Sequence, residues 1–115
     1  MTAKETSEET SSCYKLRDYS RGLLMLDVRL VNGDRYALPY SYLIWAKLGG
    51  GEEIFIRFSS HTVLIKGRNL LAIYGGLLQH RVEFVQEEDP RHDIGPESEP
   101  FISTISVFEP KEAGQ

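Results

Sequence analysis

The sequence predicts an α+β domain that is mainly β: an antiparallel sheet of five to six strands, or a small barrel, with one helix between the fourth and fifth strands. Three observations support this prediction. Apolar and polar residues alternate along several short segments, as in strands with one buried face. Helical spacing of apolar residues is confined to residues 70–78. The order of the segments also lacks the regular strand–helix alternation of a parallel sheet.

The first two predicted strands form a hairpin at Asn32-Gly33, the strongest short-range hairpin signal. Residues 24–31 alternate, and the return strand follows the turn. A loop of three residues, 31–33, pairs Val28 with Tyr36, whereas a loop of two residues sets the apolar face opposite polar residues. We therefore predict the longer loop, with Gly33 left-handed in a bulged turn.

The return strand of this hairpin covers residues 36–48, with a break at Pro39. Further strands follow from the same alternation at residues 54–59, 61–66, 81–86 and 101–108. Pro39 has no N–H to donate, so it should lie at a sheet edge or a break. The last strand has no charged residue. We expect it to pair within its own chain at a sheet edge, and exchange with a neighbouring subunit is the alternative.

The predicted helix carries the main functional hypothesis. Asn69 can cap it, and its apolar stripe consists of Leu70, Ile73, Tyr74, Leu77 and Leu78. Each of the adjacent glycines inside the helix costs about 1 kcal/mol relative to alanine. On the arc opposite the stripe, we expect a self-association face made of Ala72, Gly75, Gly76 and Gln79. A second copy across a two-fold axis is the simplest partner. Alternatively, Gly75-Gly76 ends a short helix.

Charge divides the chain into three parts. Residues 1–12 hold three acidic and one basic residue, residues 13–85 hold six and ten, and residues 86–115 hold eight and two. We predict a disordered acidic tail at 1–12, a single domain at 13–109 with a mobile acidic loop at 87–100, and a C-terminal tail at 110–115. The acidic ends favour solubility, and a tail that shields a basic face is the alternative.

The sequence contains neither a membrane-span signal nor a secretory signal. No apolar run approaches the roughly 20 residues that a membrane span needs, and residues 1–12 lack the features of a secretory signal. Cys13 is the one cysteine, which excludes an intrachain disulfide. We expect a soluble cytoplasmic protein that does not associate with membranes.

Catalytic, metal and cofactor sites find no support in the sequence. The three histidines, His61, His80 and His92, show no ligand spacing. Ser60 and His61 are neighbours on a strand and point to opposite faces, so they make no nucleophile–base pair. The glycines at 49–51 lack the Lys-Ser/Thr of a phosphate loop. We therefore predict a non-enzymatic interaction or regulatory domain that forms a homo-oligomer and uses no cofactor.

Single-stranded nucleic-acid binding is the alternative function. Basic residues of the middle segment, with Arg57, Lys66, Arg68 and Arg81 as the expected contacts, are interleaved with aromatic residues. Those aromatics are Tyr36, Tyr40, Tyr42, Trp45 and Phe55. Small barrels bind single strands with basic grooves and stacking aromatics. The strand order matches an OB barrel if residues 54–66 form one bent strand. The acidic pI of about 5.4 makes nucleic acid the less favoured partner.

Overall fold

The protein folds into two β-sheets and one α-helix, as seen in a computed structural model that describes residues 9–17, 23–93, 95 and 98–109. The strands are β1 (Glu9–Thr10), β2 (Tyr14–Leu16), β3 (Met25–Arg29), β4 (Arg35–Pro39), β5 (Leu43–Gly49), β6 (Glu53–Phe58), β7 (Thr62–Arg68), β8 (Val82–Gln86) and β9 (Phe101–Phe108), and the helix is α1 (Leu71–Leu78). Sheet 1 has the order β1-β2-β8-β3-β4 and sheet 2 the order β5-β6-β7-β9.

This architecture confirms a mainly β, α+β fold and corrects its details. The described residues form nine strands in two sheets, which do not join into a closed barrel, instead of five or six strands in one sheet. The helix lies between the seventh and eighth strands. Most strand pairs are antiparallel as expected, but β3 and β8 pair in parallel. Long-range pairing of this kind leaves no local pattern in the sequence, which explains the error.

The hairpin of β3 and β4 confirms the predicted register. Val28 pairs with Tyr36 and Leu26 with Leu38, and Gly33 has a φ of 99° in the loop. The N–H of Gly33 donates to the carbonyl of Leu30 at 3.0 Å and closes the turn. Only a residue without a Cβ takes this φ at little cost. Because β4 is the last strand of sheet 1, Pro39 lies on an edge strand as expected.

The arrangement of strands β6 and β7 differs from that of an OB barrel. They pair as separate antiparallel neighbours, with Ile56 opposite Val63, so residues 54–66 are not one bent strand. β9 occupies residues 101–108 as predicted and pairs with β7 at the edge of sheet 2 within the same chain. Exchange of this strand between subunits is therefore not needed to complete the sheet.

A single hydrophobic core joins the two sheets and the helix. Alternate residues of each sheet point inward, including Leu26 and Val28 from sheet 1 and Ile56 and Val63 from sheet 2. Helix α1 packs beside β2, β8 and β5. Tyr40 begins the short 3₁₀ turn that carries the chain from sheet 1 to sheet 2, and its buried hydroxyl donates to the carbonyl of Val82 at 2.7 Å. Burial raises the pKa of this hydroxyl.

The ends of α1 differ from the expected capping. Asn69 is left-handed, with a φ of 55°, and Leu70 is the N-cap without a side-chain hydrogen bond, so the predicted Asn69 cap is wrong. At the other end, His80 is left-handed, with a φ of 56°. The N–H of His80 donates to Leu77 and that of Arg81 to Gly76, which is the Schellman arrangement of a helix end. The helix therefore ends beyond both glycines, and Gly75-Gly76 does not terminate it.

The segments expected to be tails and a mobile loop are partly described. Glu9–Thr10 form β1 and pair with β2, so these two residues of the expected disordered tail are ordered by strand pairing. In the acidic loop, Glu87 accepts hydrogen bonds from the N–H groups of Val31 and Ile105. Residues 1–8 and 110–115 lie outside the described residues. The mobility of the loop at 87–100 stays a prediction.

Candidate functional site

The first candidate surface is the outer side of α1, which we name the helix outer face: Leu71, Ala72, Gly75, Leu78 and Gln79. Helix α1 has no charged residue, and its inner side buries Ile73 and Leu77. On the outer side, Leu71 is 66% and Leu78 is 64% exposed. A helix that is apolar all round is normally buried on every side. Here one side faces solvent, which makes it a candidate interaction surface.

Gly76 does not belong to this surface, contrary to the expectation from the sequence. It is buried, and a Cβ at this position would overlap Leu16 Cδ2 and lie 2.8 Å from Val82 Cγ2. The close approach that requires a glycine is therefore made by β2 and β8 of the same chain. The error arose because Leu16 is distant in sequence and Val82 lies on the strand that follows the helix, so helical spacing alone could not show them beside Gly76.

Gly75 has the opposite surroundings. No atom lies within 4 Å of the position that its Cβ would take. The fold of the single chain therefore gives no steric reason for a glycine at this position. Ala72 and Gln79 are exposed on the same side of the helix. The self-association hypothesis stays a prediction for Ala72, Gly75 and Gln79. The structure adds Leu71 to this face and, contrary to its predicted place on the apolar stripe, Leu78.

The second candidate surface is the outer side of sheet 2, which we name the open sheet face. Its side chains alternate with the buried ones along all four strands. They form three rows across the sheet: Trp45, Arg57, Thr62 and Phe108; Lys47, Phe55, Leu64 and Ser106; and Gly49, Glu53, Lys66 and Thr104. Trp45 is 49% and Phe108 is 51% exposed.

Aromatic and basic residues alternate on this face. Trp45 pairs with Arg57, and Lys47 pairs with Phe55 in the adjacent row of the same two strands. Trp45 and Phe55 therefore lie on one diagonal of a four-residue square, and Lys47 and Arg57 lie on the other. Neighbouring strands are about 4.8 Å apart, so each cation is next to an aromatic ring.

The cations of the open sheet face have no acidic partner among the described residues. Within residues 9–17, 23–93, 95 and 98–109, no ion pair is formed by Lys47, Arg57 or Lys66. Glu53 lies opposite Lys66, but their charged groups do not come within ion-pair distance. Lys47, Arg57 and Lys66 are all exposed. Their charge is therefore available to a ligand.

Two of the four basic residues expected to contact nucleic acid lie on this face, and two do not. Arg57 and Lys66 share it. Arg68 follows a bulge in β7, and its guanidinium is held by both carboxylate oxygens of Asp93, one of them at 2.8 Å. Arg81 lies after α1 and donates from Nε to the carbonyl of Arg17. The four residues therefore do not share one surface, and a nucleic-acid role for Arg57 and Lys66 stays a prediction.

No family model matches this chain. Neither the curated proteins nor the solved structures contain a match.

Among the described residues, no three histidine, cysteine or acidic side chains are grouped as a metal site would need. Burial raises the pKa of the Cys13 thiol, which keeps it in the unreactive protonated form. His80 stacks on Tyr40 with ring centroids 4.5 Å apart, a packing role. None of the described helices is long and apolar enough to cross a membrane.

Several residues of the open sheet face were missed as site residues by sequence reasoning. Trp45 and Phe55 were noted among the interleaved aromatics, but Lys47 and Phe108 were not selected. Period-two spacing does place Trp45 with Lys47, and Phe55 with Arg57. What it could not show is that these two pairs lie side by side, because a bulge between Leu43 and Trp45 shifts the register of β5 against β6.

Proposed function

We propose that the protein is a non-enzymatic interaction domain that assembles with a second copy of itself through the helix outer face. The observation that carries this proposal is the exposure of Leu71 and Leu78 on a helix without a single charge. Burying leucine side chains that are now two-thirds exposed would supply on the order of 1–2 kcal/mol for each leucine. Other contacts across the same axis would add to this.

The spacing of the helix outer face suits a two-fold axis. Gly75 lies near its middle, with Leu71 four residues before it and Leu78 three residues after it. If two antiparallel helices cross at Gly75, Leu71 of each copy meets Leu78 of the other, as an isologous contact requires. Because Gly75 has no side chain, the two backbones can approach closely at the crossing point. The assembly would then require a glycine at position 75 on steric grounds, whereas the single chain does not.

The mass of the protein in solution tests this proposal. We expect light scattering to show a dimer that persists in high salt, since an apolar contact is not screened. Leu78→Glu should give a monomer, because two carboxylates would be buried in the contact. The matched control is Val31→Glu, which adds the same charge at another exposed apolar residue, 63% exposed at the tip of the first hairpin. A monomeric wild-type protein, or a Leu78→Glu dimer, would refute the proposal.

A second variant separates loss of assembly from loss of folding. Gly75→Leu has open space around it in the single chain, so the fold should tolerate it. At a close helix crossing, the new side chain would hold the two copies apart. We expect Gly75→Leu to be a folded monomer with an unchanged circular dichroism spectrum. A Gly75→Leu dimer as stable as the wild type would show that the helices do not cross at this residue.

We propose a cytoplasmic location for this assembly. Its single cysteine, Cys13, is buried as a free thiol, which fits a reducing compartment. The Sγ atom lies 3.5 Å from the hydroxyl of Ser11 and 3.7 Å from the carbonyl of Pro100. We expect a thiol reagent to react with Cys13 only after denaturation. Fractionation of the source cells, with detection of the untagged protein, tests the location directly.

A further inference from the structure

The open sheet face differs from the helix outer face in its chemistry. The helix outer face is uncharged and mostly apolar, whereas the open sheet face interleaves rings with cations. A surface meant for burial against another protein is depleted of lysine at its centre. Lys47 lies in the middle row, directly beside Phe55. The open sheet face therefore fits a ligand that presents both negative charge and flat apolar groups.

We propose that the open sheet face binds single-stranded nucleic acid. Trp45, which is half exposed, and Phe55, which is partly buried, provide ring surfaces on which two successive bases can stack, since every base has a π-face. Lys47 and Arg57, on the other diagonal of the same square, lie where the phosphates that connect those bases would pass. Lys66 adds a third cation on the neighbouring strand. Charge complementarity and the alternation of rings with cations select this ligand.

The same geometry selects single strands over duplexes. Paired bases in a duplex have their faces covered by neighbouring base pairs, so rings on a flat sheet cannot stack on them. A four-stranded sheet with exposed aromatics is a known way of holding unpaired bases. No carboxylate among the described residues forms an ion pair with the three cations, and Glu53, opposite Lys66, is the one carboxylate on the face.

The net charge of the whole chain sets the expected strength. Because the formal net charge is −4, long-range attraction to a polyanion is weak, and local contacts have to provide the affinity. We expect a Kd on the order of 10 μM at about 0.05 M salt. Three phosphate contacts predict a slope of log K against log salt of about −2.

Anisotropy of a labelled oligothymidylate, about twelve nucleotides long, provides the main measurement, with an oligouridylate and a duplex as comparisons. Trp45 is the only tryptophan in the chain, so its fluorescence reports stacking at the proposed site. We expect both single strands to bind and to quench this fluorescence. The duplex should bind at least about tenfold more weakly.

Variants connect binding to this face. Trp45→Leu should weaken binding at least about fivefold, as loss of one stacked base does. Arg57→Gln should reduce the salt slope by about 0.7, since one phosphate contact is lost. The control is Arg35→Gln, which removes the same charge from the outer side of sheet 1, where Arg35 is paired with Asp27. It should leave binding unchanged.

Several results would overturn the proposal. One is the absence of any anisotropy change at low salt. Another is wild-type affinity in both Trp45→Leu and Arg57→Gln, which would place binding elsewhere. A third is a change from dimer to monomer in Arg57→Gln, since that would make the open sheet face the contact between copies. Because the self-assembly test depends on Leu78 and Gly75, the two proposals can fail independently.

Discussion

The outer sides of the two sheets use the same residue types in opposite ways. On sheet 1, Arg29 and Arg35 both donate to the carboxylate of Asp27, and the guanidinium carbon of Arg29 lies 3.9 Å from the centre of the Phe84 ring. On sheet 2, Arg57 lies beside Trp45, and Lys47 lies beside Phe55, without a carboxylate among the described residues that pairs with either cation.

This difference teaches how to separate structural from functional charge. The arginines of sheet 1 satisfy their charge within the fold, so their conformation is fixed by the chain itself. The cations of sheet 2 form no ion pair with a described residue, although they share a face with half-exposed aromatic rings. Exposed aromatic rings and unpaired charges that do not stabilise the fold are candidates for binding a ligand. If this distinction is right, matched substitutions on the two faces should have unequal effects on stability.

The largest difference is expected for the carboxylates. Asp27→Asn removes the partner of two arginines and leaves Arg29 and Arg35 directly opposite each other on neighbouring strands. We expect the free energy of unfolding in urea to fall by about 1–2 kcal/mol, mostly through Arg29, because Arg35 is largely exposed. Glu53→Gln on the open sheet face should change it by less than about 0.5 kcal/mol. Equal losses in the two variants would contradict the comparison.

The stabilisation that Asp27 provides through its ion pairs with Arg29 and Arg35 should depend on pH. Partial burial by itself raises the pKa of Asp27, but the hydrogen bonds from Arg35 and Arg29 outweigh it, so the folded-state pKa lies below the ordinary value of 3.8. The two ion pairs of Asp27 therefore contribute their full stability at pH values above the ordinary pKa of 3.8. They lose it as the pH falls through the lower, folded-state pKa.

Urea unfolding across this acid range measures the effect. Below about pH 4, the stability of the wild-type protein should decline more steeply than that of Asp27→Asn. Arg68 also lowers the pKa of Asp93, but that contribution is present in both proteins and cancels in the difference. Parallel plots of stability against pH for the two proteins would show that the ion pairs of Asp27 do not stabilise the fold.

The sequence predicted what depends on neighbours along the chain. The register of the β3–β4 hairpin followed from its alternation and from Asn32-Gly33, and β9 occupies the predicted residues. The parallel pairing of β3 with β8 could not be predicted, because it depends on contacts between distant segments. The same limit applies to the candidate surfaces. Alternation tells which residues share a face of a strand, but only the packing of the two sheets determines which face is buried.

The two adjacent glycines of α1 show this limit most directly. Helical spacing placed both on the side away from the apolar stripe, yet Gly76 lies against Leu16 and Val82 while Gly75 lies in open space. Leu16 belongs to β2, a short strand whose place in sheet 1 is set by pairing with β8. Without that pairing, nothing in the sequence distinguishes the two glycines.

The smallest effect is expected for Arg57, and it gives the sharpest form of the comparison. Arg29→Gln and Arg57→Gln make the same change on the two outer faces. Arg29→Gln loses the 3.0 Å bond to Asp27 and the contact with Phe84, so we expect a loss of about 1 kcal/mol. Arg57→Gln loses no ion pair with a described residue and should change the free energy of unfolding by less than about 0.5 kcal/mol.

Urea denaturation of the two variants beside the wild type measures this difference. If Arg57→Gln destabilised the fold as much as Arg29→Gln, Arg57 would be a structural residue like its counterpart on sheet 1. The unpaired charge of Arg57 would then no longer support a ligand on the open sheet face. If Arg57→Gln is neutral, any loss of nucleic-acid binding in that variant cannot be attributed to a weakened fold, because the protein that fails to bind is as stable as the wild type.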